Sequence, residues 1–240
     1  MIVLNSNLEE VINIDMWPRP MSPEKHWQPG RSAMEFALYL LGGNGKIPEE
    51  IKNILQKNGL YTADDFKVYP EFGTSLNKNG FYKGNGRQHD ALMVSELNSL
   101  VVGIEAKVDE RFDNVVSKWL TLIKSKSGSN ANKIDRADAF ARAIFGEDKS
   151  HQDILELHYQ LLSATIGTLL EAKKHSSKNA MLLILVIKKD GCYKEKEVEK
   201  NEKAYQLYLD MLENKKCENY YKLHNFPDIK FYIEYNEIEI

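Results

Sequence analysis

The sequence has few cysteines, no long apolar run and no excess of positive charge. Its two cysteines, Cys192 and Cys217, form no C-x-x-C pair, which excludes a disulfide scaffold and a cysteine zinc site. The longest apolar run, Ala180 to Ile187, is far shorter than a membrane span of about 20 residues. A net charge of −3 excludes a globally basic nucleic-acid binder, although a local basic cleft is compatible with it. We therefore expect a cytoplasmic protein without a membrane segment.

Common catalytic motifs are also missing. The glycines at 42–46 resemble a phosphate-binding loop, but Ile47 follows the lysine where that loop needs serine or threonine. The segment Gly84-Asn85-Gly86 has His89 in place of the third glycine of a dinucleotide fingerprint. The chain has neither G-x-S-x-G nor H-E-x-x-H. These absences leave no signature of a nucleotide-binding loop, a serine hydrolase or a zinc protease.

The pattern of apolar residues predicts an alternation of helices and strands. With 240 residues, 42% hydrophobic and 28% charged, we expect a single domain over 1–240, with an irregular arm at 1–30 and a C-terminal helix and strand extension at 189–240. Helical spacing predicts helices at 32–42, 48–57, 110–123, 133–145, 152–174 and 201–214. Strands are predicted at 66–72, 88–95, 100–107, 180–188 and, as an edge strand, 229–235. This order predicts an α/β fold, a three-layer α/β/α domain with a central mixed sheet.

Two acids and a lysine stand out in the predicted hairpin. Glu105 and Lys107 are two residues apart in one strand, so their side chains leave the same face. With a turn near Asn98, facing positions sum to about 196, and Asp90 then lies across from Ala106. Two carboxylates at one place repel each other, and a divalent cation removes that repulsion. A lysine beside them can orient a water or stabilise charge that develops on a phosphate.

The tripeptide pattern [DE]-x-K is not specific by itself, because the chain contains seven copies. Only the copy at Lys107 ends an apolar strand that a hairpin joins to a strand with an aspartate. Spacing alone leaves two interpretations equally open. One is a metal site for phosphate chemistry, and the other is an ion pair at the end of a strand.

Asp90 with Glu105-Ala106-Lys107 resembles the signature of the PD-(D/E)xK nuclease superfamily. The order helix, strand, hairpin, helix, strand is similar to the core of its restriction-endonuclease-like fold. The segments 30–35, 88–91 and 159–162 further resemble a bacterial family of unknown function within that superfamily. The resemblance covers roughly residues 27–188. Two departures are His89, where the pattern has proline, and Ala164, where one exonuclease branch has tyrosine.

The resemblance implies Mg²⁺-dependent hydrolysis of phosphodiester bonds in nucleic acid, with Mn²⁺ as a substitute ion and DNA as the expected substrate. It implies that Asp90, Glu105 and the Ala106 carbonyl hold the metal. Lys107 would position the attacking water or stabilise the phosphate. Some members of the superfamily are not nucleases, so the alternative is a catalytically inactive module that binds nucleic acid or protein. A homodimer is also compatible with the sequence.

Glu35 and Gln160 are predicted to assist this site. Glu35 matches an acidic residue on the first core helix of many superfamily members, but Ser32 and Glu35 also fit a helix capping box. Gln160, Ala164 and Gly167 form one line on a helix, and small residues there would let the helix approach the sheet closely. Gln160 would then reach Lys107 or a phosphate, and a surface glutamine is the alternative.

Residues 111–142 carry seven basic and three acidic side chains in an otherwise acidic protein. They follow the candidate site directly and are candidates for phosphate contacts. A solvated helix face and loop is the alternative for most of them. The three tryptophans have the same two interpretations, base stacking or packing in a core or lid, and they are Trp17, Trp27 and Trp119.

Overall fold

The structure, a computed structural model, describes residues 1–20, 23–76, 86–124, 131–146 and 151–240. Within these residues, eight strands form one sheet in the order β1-β2-β3-β4-β5-β8-β7-β6. The strands are β1 (Ile2–Val3), β2 (Lys67–Thr74), β3 (Arg87–Ser95), β4 (Leu100–Lys107), β5 (Asn179–Lys188), β6 (Lys216–Cys217), β7 (Tyr220–Leu223) and β8 (Phe226–Glu239).

Helices separate these strands along the chain. They are α1 (Pro23–His26), α2 (Ser32–Gly42), α3 (Glu49–Lys57), α4 (Val116–Lys124), α5 (Ala131–Phe145), α6 (His151–Ile154), α7 (Tyr159–Lys174) and α8 (Glu195–Leu212). No helix in the described part of the chain is long and apolar enough to cross a membrane. The sequence also predicts a glycine loop at 80–86 and a Ser/Gly/Asn-rich loop at 124–132, and most of both segments lies outside the described residues.

The sheet is mixed, which confirms the predicted α/β class. β2, β3 and β4 are successive antiparallel neighbours, whereas β5 is parallel to both β4 and β8. β5 contains the apolar run Ala180–Ile187, which is fully buried. A strand buried on both faces needs no polar alternation, and this explains why the run is continuous.

Helices cover both faces of the sheet. α2 and α3 bury Phe36, Leu40 and Ile51 against one face, and α7 buries Leu161 and Leu169 against the other. The second face also receives side chains of α5 and α8. Because successive residues of a strand alternate between faces, the odd-numbered residues of β4 from Val101 to Lys107 point towards α7. This arrangement places Glu105 and Lys107 beside that helix.

The last strand differs from the prediction of an edge strand. β8 lies between β5 and β7, and its pairing with β5 runs from Asn179 opposite Lys230 to Lys188 opposite Glu239. Its acidic end, which suggested an edge, extends to Glu239. Acidic side chains are tolerated there because Glu237 forms an ion pair with Lys188 of the neighbouring strand.

The predicted helix over 152–174 was also wrong, because it is two helices. His158 has an extended backbone and forms an isolated bridge with Val115, so the chain straightens between α6 and α7. The same contact holds the residues before Val116 out of a helix, which is why α4 begins at Val116 rather than at 110. The arm at 1–30 is less irregular than expected, since it contains β1, α1 and a 3₁₀ turn.

Candidate active site

The β3–β4 hairpin places Asp90 beside Glu105 and Ala106. Ala91 pairs with Ile104, so facing positions sum to 195, one less than the sequence suggested. The ladder stops at this pair, and Asp90 continues the link through its side chain. Its Oδ2 accepts a hydrogen bond from the Ala106 N–H at 2.7 Å. The hairpin is therefore open at the end where the two carboxylates lie.

The carboxylate of Glu105 is buried and surrounded by hydrogen-bond donors. It is 1% exposed, and its carboxylate accepts hydrogen bonds from His89 Nδ1 at 3.0 Å and from Gln160 Nε2 at 2.8 Å. Arg87 adds an ion pair. Burial alone would raise the pKa of Glu105, but Arg87 and His89 outweigh it and lower the pKa to about 2. Glu105 is consequently ionised at neutral pH.

Asp90 has the opposite electrostatic environment. Burial and the neighbouring Glu105 carboxylate raise its pKa to about 6, against the smaller opposing effects of Lys107 and the Ala106 N–H. The two carboxylates thus differ because the basic side chains gather around Glu105. A cation placed next to Asp90 would favour its ionised form.

Lys107 is largely buried and forms no direct ion pair. The residue is 8% exposed, and its Nζ makes no hydrogen bond or ion pair with the described residues, although the carboxylates of Asp90 and Glu105 are near enough to interact with its charge. The ammonium lies 5.8 Å from the centre of the Phe112 ring. The two carboxylates stabilise this ammonium only through space, so its hydrogen-bonding capacity is left for an anion that comes from outside.

Lys107 faces a cavity of about 360 Å³. Its walls come from the N-terminal arm, the start of α2, the three antiparallel strands, the loop after β4 and the start of α7. The lining residues are Pro20, His26, Ser32, Ala33, Glu71, Gln88, Asp90, Ala106, Lys107, Glu110, Arg111, Asp113 and Gln160. Four of the six predicted site residues, namely Asp90, Ala106, Lys107 and Gln160, therefore share one cavity. Glu105 touches this group through its contact with Gln160.

Small residues bring α7 close to the sheet, as the line through Gln160 and Gly167 predicted. His89 is buried between Gly103 of β4 and Gly167 of α7, and a Cβ on Gly167 would lie 2.7 Å from His89 Nε2. Gln160 is held at both ends of its amide, since its Oε1 also accepts from the Asp113 N–H at 3.2 Å. It reaches Glu105 rather than Lys107 or open solvent.

Glu35 lies elsewhere. Its Oε1 accepts from the Gly30 N–H at 2.6 Å and its Oε2 from Lys189 at 2.8 Å, and it does not line the cavity. The predicted capping box is also absent, because Arg31 occupies the N-cap position and the Ser32 hydroxyl bonds to Glu110. Glu35 therefore links the start of α2 to the segment directly after β5 through its ion pair with Lys189, which balances its charge.

Several residues near the site were not predicted, above all Glu71 of β2. Its backbone has φ of 49°, and its Oε2 accepts from Gln88 at 2.7 Å. Burial first, and then Asp90 and Glu105, raise the pKa of Glu71 to about 8. The only local sign of these residues in the sequence was the polar run Arg87-Gln88-His89, which precedes Asp90. The contact between Gln88 and Glu71 is long-range, so no local pattern predicts it.

The basic stretch and the tryptophans divide between the two interpretations. Arg111 is exposed at the cavity, whereas Arg136 is buried over Phe140. Trp17 packs edge-on against Phe36 in the core. Trp27 lies under the guanidinium of Arg19, 4.2 Å from it. The side chain of Trp119 and the whole of Lys126 lie outside the part of the chain that the structure describes.

A magnesium ion is compatible with the donors at this place. Within the described residues, no group of three or more histidine, cysteine or acidic side chains is arranged to hold a metal. Mg²⁺ is often bound through one or two carboxylates while waters and substrate oxygens complete its shell. Asp90, with its raised pKa, and the Ala106 carbonyl fit that role. Glu105 would share its oxygens with Gln160, His89 and Arg87.

Comparison with known proteins identifies a family. A family model described as a domain of unknown function, DUF6946, matches residues 12–239. No curated protein and no solved structure matches the chain. Since the model covers almost the whole sequence, including the cavity and β8, the chain belongs to the DUF6946 family.

Proposed function

We propose that the protein is a Mg²⁺-dependent nuclease of the PD-(D/E)xK type, with DNA as the first substrate to test. The observation that carries this proposal is Lys107. It is a largely buried residue whose ammonium forms no direct ion pair, and it faces the same cavity as Asp90. A phosphodiester would accept hydrogen bonds from this ammonium, and the neighbouring carboxylates would hold the cation that phosphate hydrolysis requires.

The chain order around the site supports the resemblance. α2 precedes β2, the hairpin β3–β4 follows, and α7 leads to β5, which is parallel to β4. This is the order helix, strand, hairpin, helix, strand on which the resemblance rests. Asp90, Glu105 and Lys107 lie together at the open end of that hairpin. The element order and the position of these three side chains are the observations that support the proposal.

The side chains have separate roles in this mechanism. Asp90, Glu105 and the Ala106 carbonyl would hold the ion, which supplies an activated water and neutralises charge on the phosphate. Arg87 and His89 keep Glu105 ionised, and Gln160 fixes its orientation. Lys107 would stabilise the charge that develops on the phosphate oxygens, as a cation already held in position before the reaction.

A catalytically inactive binding module is the second candidate. The observation in its favour is that Glu105 already has three partners in Gln160, His89 and Arg87. A carboxylate so engaged is a weaker metal ligand than an unpaired one. In that case Lys107 would bind a phosphate of nucleic acid, or an acidic group of a protein, without cleavage.

We further propose a cytoplasmic location. Cys192 and Cys217 are both unpaired thiols, which is typical of proteins in a reducing compartment. A homodimer stays a prediction from the sequence, and size measurement of the purified protein would test it.

The experiment is a cleavage assay with the purified protein. Labelled single- and double-stranded DNA and RNA are incubated with Mg²⁺, Mn²⁺ or EDTA, and products are separated by length. We expect cleavage with either metal and none in EDTA. Absence of cleavage from every substrate, combined with retained nucleic-acid binding, would favour the inactive module.

A further inference from the structure

A second cavity adjoins the candidate site. It has a volume of about 480 Å³ and lies along the β2 edge of the sheet. Glu71 and Gln88 line both cavities, so the two cavities are adjacent at these residues. A ligand that places one phosphate at Lys107 would extend past these two side chains into the second cavity.

The second cavity contains an aromatic pair that depends on a backbone irregularity. Tyr69 and Phe72 are three residues apart, and in a regular strand they would point to opposite faces. The left-handed backbone of Glu71 between them interrupts this alternation. As a result their ring centres are 5.9 Å apart on the same side of the sheet. Both rings are half-buried and pack against the core on the α7 side of the sheet, and both residues line the cavity.

A positive charge lies at the rim of the same cavity. Arg19 is exposed and stacks on Trp27, and it makes no ion pair with any residue that the structure describes. Arg111 has the corresponding position at the first cavity. Each cavity therefore has an arginine at its rim. Aromatic rings combined with cations along a groove are typical of surfaces that bind single-stranded nucleic acid.

The depth of Lys107 points in the same direction. Lys107 is only 8% exposed, and residues of the N-terminal arm and of the loop after β4 line the same cavity. Duplex DNA is stiff over roughly 150 base pairs, and its phosphates are held in place by stacked base pairs. A single strand can instead bend one phosphate inwards and turn the adjacent base aside.

We propose that the site takes single-stranded nucleic acid in preference to duplex. The phosphate to be cleaved lies at Lys107, the neighbouring base stacks on Tyr69 and Phe72 in the second cavity, and Arg19 contacts the following phosphate. This inference rests on the proposed nuclease function and specifies its substrate class. It also assigns a binding role to residues that take no part in the chemistry.

The test measures binding separately from cleavage. Fluorescence anisotropy is recorded with labelled oligothymidylate of about 16 nucleotides and with a hairpin duplex of similar length, in Ca²⁺ and over a range of salt concentrations. The variants are Tyr69→Leu and Arg19→Ala. The matched control is Lys203→Ala, which removes one exposed positive charge from α8, outside both cavities. Circular dichroism establishes that each variant is folded.

We expect the single strand to bind at least about tenfold more tightly than the duplex. Tyr69→Leu and Arg19→Ala should each weaken binding several-fold to about tenfold, and Arg19→Ala should also reduce the salt slope by about 1. Lys203→Ala should bind as the unchanged protein does. A substitution that only loosened the fold would not change the salt slope.

Two outcomes overturn the inference in distinguishable ways. If the protein cleaves nucleic acid but binds duplex as tightly as single strand, or if both variants bind normally, the single-strand groove is wrong and the nuclease function stands. If the protein neither binds nor cleaves any nucleic acid, the nuclease function fails as well.

Discussion

Lys107 differs from the other lysines of the seven [DE]-x-K copies in what surrounds it. Lys173 ends the copy Glu171-Ala172-Lys173, but it lies on α7, where residues two apart diverge by about 200°. Its side chain is exposed, while Glu171 pairs with Lys174 at 3.0 Å. The same tripeptide, Glu-Ala-Lys, thus places a solvated lysine on a helix in one copy and a largely buried lysine without an ion pair at the end of a strand in the other.

The first prediction concerns loss of single site residues. Lys107→Ala and Asp90→Ala should each abolish metal-dependent cleavage, because preorganised charge and metal binding each lower the barrier by several kcal/mol. This corresponds to a loss of at least about 10²-fold in rate. Lys173→Ala is the control and should cleave normally in the same assay. Equal loss from the Lys173 and Lys107 changes would mean that stability, rather than chemistry, explains the effect.

The second prediction concerns the carboxylate of Asp90. Its pKa rises from 3.8 to about 6 on folding, so the folded state binds more protons than the unfolded state between these values. The free energy of unfolding should therefore fall as pH rises from about 4 to 6, by on the order of 1–3 kcal/mol. Mg²⁺ should recover part of this loss above pH 6.

Asp90→Asn should remove the part of the pH dependence that comes from Asp90 and the effect of Mg²⁺, because the amide keeps an acceptor for the Ala106 N–H and carries no charge. The raised pKa of Glu71 should leave a further fall in stability between about pH 4.5 and 8 in both proteins. In EDTA at neutral pH this variant should melt at a higher temperature than the unchanged protein, and Mg²⁺ should not stabilise it. Thermal unfolding followed by circular dichroism measures both. A lower melting temperature for Asp90→Asn under these conditions would show that the charge of Asp90 does not destabilise the folded protein.

At the scale of elements, local sequence patterns predicted the β3–β4 hairpin and its site residues better than they predicted the residues that contact the hairpin. Strand parity placed Glu105 beside Lys107, and a two-residue period located both strands within a residue or two. Two partners of Glu105, Arg87 and His89, were not predicted, because their contact with it depends on where the ladder opens. Glu71 was missed for the same reason, and the break before α7 depends on a long-range bridge to Val115.

The third prediction tests how α7 approaches the sheet. Helix propensity alone would make Gly→Ala favourable by about 1 kcal/mol within a helix. At Gly167 the new methyl group would lie 2.7 Å from His89 Nε2, and His89 is fully buried and cannot move aside. Gly167→Ala should therefore destabilise the protein by about 1–3 kcal/mol.

Gly42→Ala in α2 is the matched control for this effect. A Cβ at Gly42 has no neighbour within 4 Å, so this change should be neutral or slightly stabilising. Urea unfolding of both variants gives the comparison. Similar stability of the two variants would mean that α7 has room to move away from β4, and that the position of Gln160 is less fixed than its hydrogen bonds indicate.

At the scale of the whole molecule, the C-terminal part is integral to the sheet and is connected to the site. The resemblance ended near residue 188, and the rest was expected to be an extension. β8 instead pairs along the full length of β5. Asn201 of α8 also binds the loop after β4, accepting from the Phe112 N–H at 2.7 Å and donating to the Glu110 carbonyl at 3.0 Å. The wall of the cavity thus depends on α8.

The fourth prediction is that a chain ending at residue 188 does not fold. Without β8, the backbone groups of β5 lose a complete ladder, and apolar residues such as Phe231 leave the core.

Aggregation of the shortened chain alone would be a weak result, so the sharper comparison is between two neighbouring substitutions in β8. Phe231→Ala should cost about 3–5 kcal/mol because it leaves a cavity in the core. Lys230→Ala, at an exposed position, should stay within about 1 kcal/mol. If the shortened chain folds cooperatively and Phe231→Ala matches Lys230→Ala in urea unfolding, β8 is an appendage, and the site can form without it.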